Sequence, residues 1–430
     1  MHDMKDSGVE WLGQIPKDWS ITRIKNLFEL RNERNYEALE DVNLISLYTD
    51  KGVVQHSDLT ETTGNKAVTA DGYKIVKEND IVVNIILCWM GAVGRSAYNG
   101  VTSPAYDVYK PLSDTNSKYY HYLFRTSQFN GECFRYGRGI MLMRWRTYST
   151  EFRAIEVPLP SLDEQKQIVE FLDKKMNNVD MLIGNVQKQI EKLKAYKQSL
   201  ITVVVTKGLD STAPMKDSGI EWIGEIAGTH TIFRLKYLLD SPMQYGANES
   251  GDKLTEDSVR YIRITDITAD GNLKDDDNNQ YLSMSAAEGY ILKDKDVLFA
   301  RSGGTVGKSF LYREEYGISA FAGYLIKAEC DKTSLLPEYL IYYTQSSLYE
   351  LWKNMIFIQA TIQNIGANKY SNMEIPVPSV EEQVSIVEYL DGKCSQIDRL
   401  IAIKQAKIEK LDQYKRSLIY EYVTGKKEVS

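Results

Sequence analysis

From Leu172 the apolar residues of this chain recur in alternating steps of four and three: Leu172, Met176, Val179, Ile183, Val186, Ile190, Leu193, Leu200 and Val204, with Lys197 in the remaining place. The same steps return at Leu390, Cys394, Ile397, Ile401, Ile408, Leu411, Leu418 and Tyr422, interrupted by Lys404 and Lys415. A heptad held for about 40 residues predicts a long helix whose narrow apolar seam faces another helix. An ordinary core helix beside its own domain is the alternative, but it needs less length. Pro158 and Pro160 stop the chain before the first seam, and Ser161 with Glu164 predicts a capping box that Ser379 and Glu382 repeat. A helix from Asp163 to Val205 would span roughly 65 Å, at about 1.5 Å per residue. The simplest partner for each helix is the other, running antiparallel. Val179, Ile183, Val186, Ile190, Leu193 and Leu200 would then face Ile397, Ile401, Ile408, Leu411 and Leu418.

Outside the helices the pattern changes period. "DIVVNIIL" (80–87) and "KDVLFA" (295–300) are short apolar runs followed by glycine-containing turns, as buried strands are. "VRYIRITDI" (259–267) alternates apolar and polar residues over part of its length, and "DGNLKDDDNNQ" (270–280) reads as a solvated polar loop. The expected class is α/β of the α+β kind: two mixed α/β domains separated by two long helices.

The two domains are predicted to be copies. "MKDSGVEWLG" (4–13) returns as "MKDSGIEWIG" (215–224), and "SITRIKNLF" (20–28) is echoed by "TIFRLKYLL" (231–239), keeping Arg23/Arg234 and Lys25/Lys236. "EVPLPSLDEQKQIVEFLD" (156–173) and "EIPVPSVEEQVSIVEYLD" (374–391) agree at eleven of eighteen positions, too many for chance. Between these flanks only a skeleton persists: "WMGAVGRS" (89–96) against "SGGTVGKS" (302–309), and "YYHYLFRTSQF" (119–129) against "EYLIYYTQSSL" (338–348). A unit of roughly 210–220 residues is written twice, with like flanks and divergent middles. Such a repeat predicts pseudo-two-fold symmetry.

Composition narrows the class. The net charge of −7 argues against a globally basic nucleic-acid binder, while leaving room for a local basic face. The four cysteines form no CxxC pair and there are only four histidines, which argues against a metal site or a disulfide framework. The longest apolar run, "DIVVNIILCWMGAV" (80–93), is too short to span a membrane, and "MHDMKDSG" lacks the layout of a signal peptide. A cytoplasmic protein with no membrane partner is expected.

Two motifs suggest catalysis without completing it. "SGGTVGKS" has Ser302 where a phosphate-binding loop needs glycine, so a tight glycine turn is expected. "SPAY" (103–106) resembles the loop of amino-methyltransferases, with Ala105 in place of the second proline and no glycine-rich cofactor loop beside it. The chain is expected to be non-catalytic by itself. One charged feature remains: "CFRYGRGIMLMRWRTYST" (133–150) holds four arginines, interleaved aromatics and no acid. Arginine forks suit phosphate oxygens and guanine edges. The corresponding stretch of the second copy, "FIQATIQNIGANKY" (357–370), is rich in amides, which can bond adenine edges. Solvated polar loops are the competing reading of both.

"KDSGVEWLGQIPKDW", the "PLPSLDEQKQIVEFLD" lead into a long helix, and the near-copy of both resemble the specificity subunits of type I restriction–modification enzymes. The resemblance covers essentially the whole chain. It departs at "EIAGTH", where the second copy lacks the counterparts of Pro16 and Trp19. It implies target-recognition domains at 1–160 and 208–378, each reading one half of an interrupted, asymmetric site in double-stranded DNA. Spacer helices at 161–207 and 379–430 would pair as an antiparallel coiled coil. Two methyltransferase (modification) subunits would dock on the chain, and restriction/translocase subunits would join them. The complex would restrict DNA and methylate adenine, its S-adenosylmethionine, ATP and Mg2+ handled by the partners and none by this chain. Candidate DNA-binding residues are Arg95, Arg135, Arg138, Arg144, Trp145 and Arg146 in the first copy. In the second they are Arg301, Lys308, Gln359, Gln363, Asn364 and Lys369. A coiled-coil scaffold binding only proteins is the alternative.

Overall fold

The structure is a computed structural model that describes residues 3–429 except 59–68, 142–143, 269–270, 275, 277 and 359–362. The chain divides into two compact units, 1–186 with 406–430, and 187–405.

In the first unit the run "DIVVNIIL" becomes the strand Ile81–Asn84, buried at every residue. It lies in a four-stranded antiparallel sheet in the order Phe28–Leu30, Tyr106–Pro111, Ile81–Asn84, Val93–Arg95. Successive side chains of a strand point to opposite faces. Ile81 and Val83 accordingly enter one core with Phe124 and Phe129, while Val82 enters another with Ile45, Leu47 and Val108. Burial on both faces explains why the run is continuously apolar. The helices Ser117–Phe124 and Ser127–Tyr136 cover the first face; the side chains of Asn116 and Thr126 cap their starts.

The second unit repeats this frame. The order Gln244–Tyr245, Leu325–Ala328, Val297–Ala300, Ser309–Leu311 is again antiparallel. Val297 and Phe299 enter one core, and Leu298 and Ala300 another. The buried Asp80 and Asp296 carboxylates each accept a backbone N–H three residues upstream, from Lys77 at 2.8 Å and Lys293 at 2.9 Å. Asn79 and Lys295 before them share a left-handed backbone, with φ of 75° and 70°. These equivalences correct the alignment read from "WMGAVGRS" and "SGGTVGKS" by three residues: Gly91 (φ 93°), not Gly94, is the counterpart of Gly307 (φ 83°). The helix echo moves by one. Tyr122 and Tyr342 correspond, each bonding an aspartate of a long helix, Asp173 or Asp391.

The opening peptide proves to be a self-capped hairpin. Met4–Asp6 pairs with Gln14–Pro16, and Asp6 Oδ1 accepts the N–H of Gly8, whose φ is 72°. Met215–Asp217, Glu225–Ala227 and Gly219 (φ 76°) repeat it. The middles differ. The first unit adds the hairpin Ile45–Tyr48/Gly52–Gln55; the second adds a three-stranded sheet in which Ser258–Ile262 runs parallel to Ser319–Phe321.

The heptads form helices Leu162–Lys207 and Val380–Val423. In the first unit Phe171 packs on Tyr422 at 4.4 Å and Lys415 bonds Asp180 at 2.6 Å. In the second, Lys197 bonds Asp398 at 2.6 Å and Lys404 bonds Gln189 at 2.5 Å. Within each unit the pairing is antiparallel, and the three lysines that interrupt the seams are each satisfied by the facing helix. Val179, Val186, Ile190, Ile397, Ile408 and Leu418 are buried; Ile183, Leu193, Leu200, Ile401 and Leu411 are half-buried. Both helices end on a left-handed glycine, Gly208 (φ 70°) and Gly425 (φ 71°). Each domain core also holds the C-terminal turn of the helix that begins in the other repeat: Tyr119 Oη donates to Val423 O at 2.7 Å, and Tyr339 Oη to Val205 O at 2.9 Å. Among the described residues no helix is long and apolar enough to cross a membrane.

Candidate nucleic-acid interface

In both units the chain returns to the exit of the central strand. The arginine-rich stretch of the first unit leaves the helix Ser127–Tyr136 at Gly137, where a Cβ would lie 2.3 Å from Trp145 Nε1. Only glycine lets the indole cross there. Trp145 stacks on Phe134 at 4.8 Å and donates to Phe134 O at 3.0 Å. Arg138 and Arg146 exchange two backbone hydrogen bonds of 2.8 and 2.9 Å. Thr147 closes the loop, its N–H on Ile85 O at 2.9 Å and its hydroxyl on Cys133 O at 2.8 Å. The tip between these pins carries Ile140, 92% exposed, and Met141, 57% exposed.

The arginines are not alike. Arg135 forks onto Glu132, which raises the guanidinium pKa, and lies over the Tyr136 ring. Arg138 pairs with Glu151 at 2.9 Å, and Arg146 donates to Trp145 O at 3.0 Å. Arg144 is exposed, and its guanidinium has no partner among the described residues. Arg95 stands apart: it pairs with Ile81 at the opposite end of the central strand, where Asn79 (2.8 Å) and Glu78 (3.6 Å) hold its side chain. The structure therefore does not bring Arg95 together with the other candidates.

The amide-rich stretch occupies the corresponding place in the second unit. Ile365 N–H bonds Arg301 O at 2.9 Å, as Thr147 bonds Ile85, and Asn364 bridges Ser302. Gln363, Asn364 and Lys369 are exposed; Gln359 lies outside the described residues. Arg301 rests over the Tyr245 ring at 5.0 Å, and Tyr245 Oη accepts the Ala367 N–H at 3.0 Å. Tyr324, 60% exposed, joins the group through its carbonyl, which accepts the Arg301 N–H at 3.0 Å. Half-buried Lys308 sits in the turn that joins Val297–Ala300 to Ser309–Leu311, so a strand and not a helix follows "SGGTVGKS". A phosphate-binding loop needs the N-terminus of a helix at that point. In "SPAY", Tyr106 is likewise a strand residue, paired with Asn84. Tyr245 and Tyr324 were not singled out from the sequence. Their only signal there is an aromatic beside glycine, in "YG" and "GY", at the edge of an apolar run.

The family model described as "Type I restriction modification DNA specificity domain" matches the chain twice, at residues 16–192 and 233–413. The type I restriction enzyme MjaVIII specificity subunit of Methanocaldococcus jannaschii is 25% identical, covering 96% of this chain and 94% of its own. The EcoKI specificity subunit of Escherichia coli K12 is 23% identical, covering 93% and 88%. A solved chain from work on the complex assembly and conformational transition of the type I R-M system superposes with a TM-score of 0.68 at 15% identity, over 95% of this chain and 98% of its own.

Proposed function

We propose that this chain, which belongs to the type I restriction modification DNA specificity family, is the DNA-reading subunit of a type I restriction–modification complex. Each unit reads one half of a bipartite, asymmetric target in double-stranded DNA. The long helices pair as an antiparallel coiled coil that spaces the two readers. Repeated flanks present the same surface twice, with the pseudo-two-fold symmetry that lets two identical methyltransferase subunits dock, and restriction/translocase subunits then join. The chain itself is non-catalytic and binds no cofactor; S-adenosylmethionine, ATP and Mg2+ belong to the partners.

The observation that carries this reading is one frame with two different loops at one place. Thr147 and Ile365 tie equivalent strand exits, yet the residues before them are arginine and tryptophan in one unit and amides in the other. Loops of that composition suit different base edges. A scaffold that binds only proteins leaves the divergence without a role. Sequencing the modified bases of cells with and without the gene tests the reading. The expected result is one interrupted, asymmetric motif, methylated on adenine, that disappears with the gene; an unchanged methylation pattern overturns it.

A further inference from the structure

Of the arginines near the two strand exits, Arg135 and Arg138 each face a carboxylate. Arg301 is held differently. Its backbone is fixed on both sides, by Tyr324 O and by the Ile365 N–H. Its guanidinium lies against the Tyr245 ring at 5.0 Å, and Nη1 reaches Gly323 O only at 3.5 Å. Among the described residues no carboxylate pairs with it. Nε is buried without a hydrogen-bond partner, and so is the hydroxyl of Thr305 in the same turn. A buried donor left unpaired is costly, and a ring face orients a cation without neutralising it. The guanidinium therefore rests on the ring with no counter-charge among the described residues, and exposed Gln363, Asn364 and Tyr324 lie on the segments that flank it.

We propose that Arg301 is the specificity-determining residue of the second unit, forking onto the O6 and N7 acceptors of a guanine, and that Tyr245 is its positioning residue. Tyr245 does two things at once. Its ring sets the guanidinium plane, and its hydroxyl holds Ala367 at the start of the helix Ala367–Ser371, directly after the amides. A phosphate contact needs charge alone, which flexible Lys308 or Lys369 supplies; a bidentate base contact needs the fixed plane. The first unit has Ile85 at the equivalent position, so this contact belongs to one half-site.

This rests on the DNA-reading function proposed above, and the test separates the two. The full chain in complex with its methyltransferase partner is titrated with duplexes carrying the methylated motif and every single-base variant of it, at two salt concentrations. Arg301→Lys keeps the charge and loses the fork. It should weaken cognate binding by about 5- to 150-fold and abolish discrimination at one G·C pair of one half-site. Discrimination at the other half-site and the salt slope should stay as in the wild type. Tyr245→Leu should relax the same base pair with an unchanged unfolding midpoint, and Tyr245→Phe, which keeps the ring, should relax it less. The proposal is overturned if Arg301→Lys discriminates every variant as the wild type does. It is also overturned if Arg301→Ala lowers affinity evenly across all variants with a salt slope lower by about one, the mark of a phosphate contact. Tyr245→Leu changing affinity without changing discrimination removes Tyr245 from the role. A wild-type complex that binds all duplexes alike sinks the DNA-reading function itself.

Discussion

Single residues show how the two copies diverge without losing the frame. Trp19 Nε1 donates to Glu164 Oε1 at 2.8 Å, and His230, which replaces the tryptophan, reaches Glu382 Oε1 from Nε2 at 3.3 Å. The loss expected at "EIAGTH" is thus a substitution of one nitrogen for another, invisible in sequence because the partner lies about 150 residues away. The exchange introduces a titratable group: burial lowers the His230 pKa against the opposing pull of Glu382. The first unit has its own such group. His121 Nδ1 accepts the Arg95 N–H at 3.1 Å, and burial, with Arg125 and Arg95 nearby, lowers its pKa from 6.5 to about 3. Its folded pKa lies below its unfolded one, so its contribution is intact above about pH 6.5 and is lost as pH falls toward 3. We expect urea unfolding at pH 5 to show about 1–2 kcal/mol less stability than at pH 7 from this residue. His121→Asn, which keeps an acceptor for Arg95, should remove that part of the pH dependence; an unchanged pH dependence refutes it. In the arginine-rich loop, exposed Arg144 is the one to test. Arg144→Ala should weaken DNA binding by about 1–3 kcal/mol if it reads a guanine, or evenly across sequences if it meets a phosphate. If Arg144→Ala binds every variant as the wild type does, the loop is only solvated. Arg135→Ala, whose arginine is already forked onto Glu132, should change binding little by comparison.

At the scale of elements, the helices were the most legible part of the sequence. A 4-3 apolar spacing has one stable solution, a seam against another helix, and the positions read from it are buried or half-buried in the structure. What the spacing hid was the use of its polar exceptions. Lys197 with Asp398 and Lys415 with Asp180 are the same ion pair at repeat-equivalent positions, one in each unit. Exposed pairs of this kind contribute about 0.2–1 kcal/mol each, so their value is in register more than in strength. Deleting one heptad from the first helix, Ile183 to Gln189, shortens it by roughly 10 Å and leaves only one of the two pairs in register. We expect the spacer of the methylated motif to shorten by about three base pairs, or binding to fail. An unchanged motif in the deletion strain refutes the helices as a ruler. The capping boxes came out altered: Ser161 and Ser379 hydroxyls accept the N–H of Glu164 and Glu382 as expected, but the glutamates also reach across to Trp19 and His230.

For the whole molecule, the reading places all chemistry in partner subunits, so the purified chain given S-adenosylmethionine, ATP and Mg2+ should neither cut nor methylate DNA. Turnover by the chain alone, assayed by transfer of labelled methyl groups and by nicking, refutes that division of labour. The sequence by itself determined the repeat, the two long helices, the buried central strands and the non-random loops at 133–150 and 357–370, because each is a local pattern: a period, a run or a composition. It misaligned the divergent middles, since insertions of a few residues shift an alignment that only strand register can restore, as with Gly91 and Gly307. Only the tertiary structure decided which charges are available. Arg95, Arg135, Arg144 and Arg301 are the same letter in the chain, yet carboxylates hold the first two, none holds Arg144 among the described residues, and Tyr245 orients Arg301. Whether a guanidinium can reach outward depends on the groups that fold against it: Glu132 lies one helical turn from Arg135, but Tyr245 meets Arg301 from 56 residues away, and local sequence carries no record of that contact.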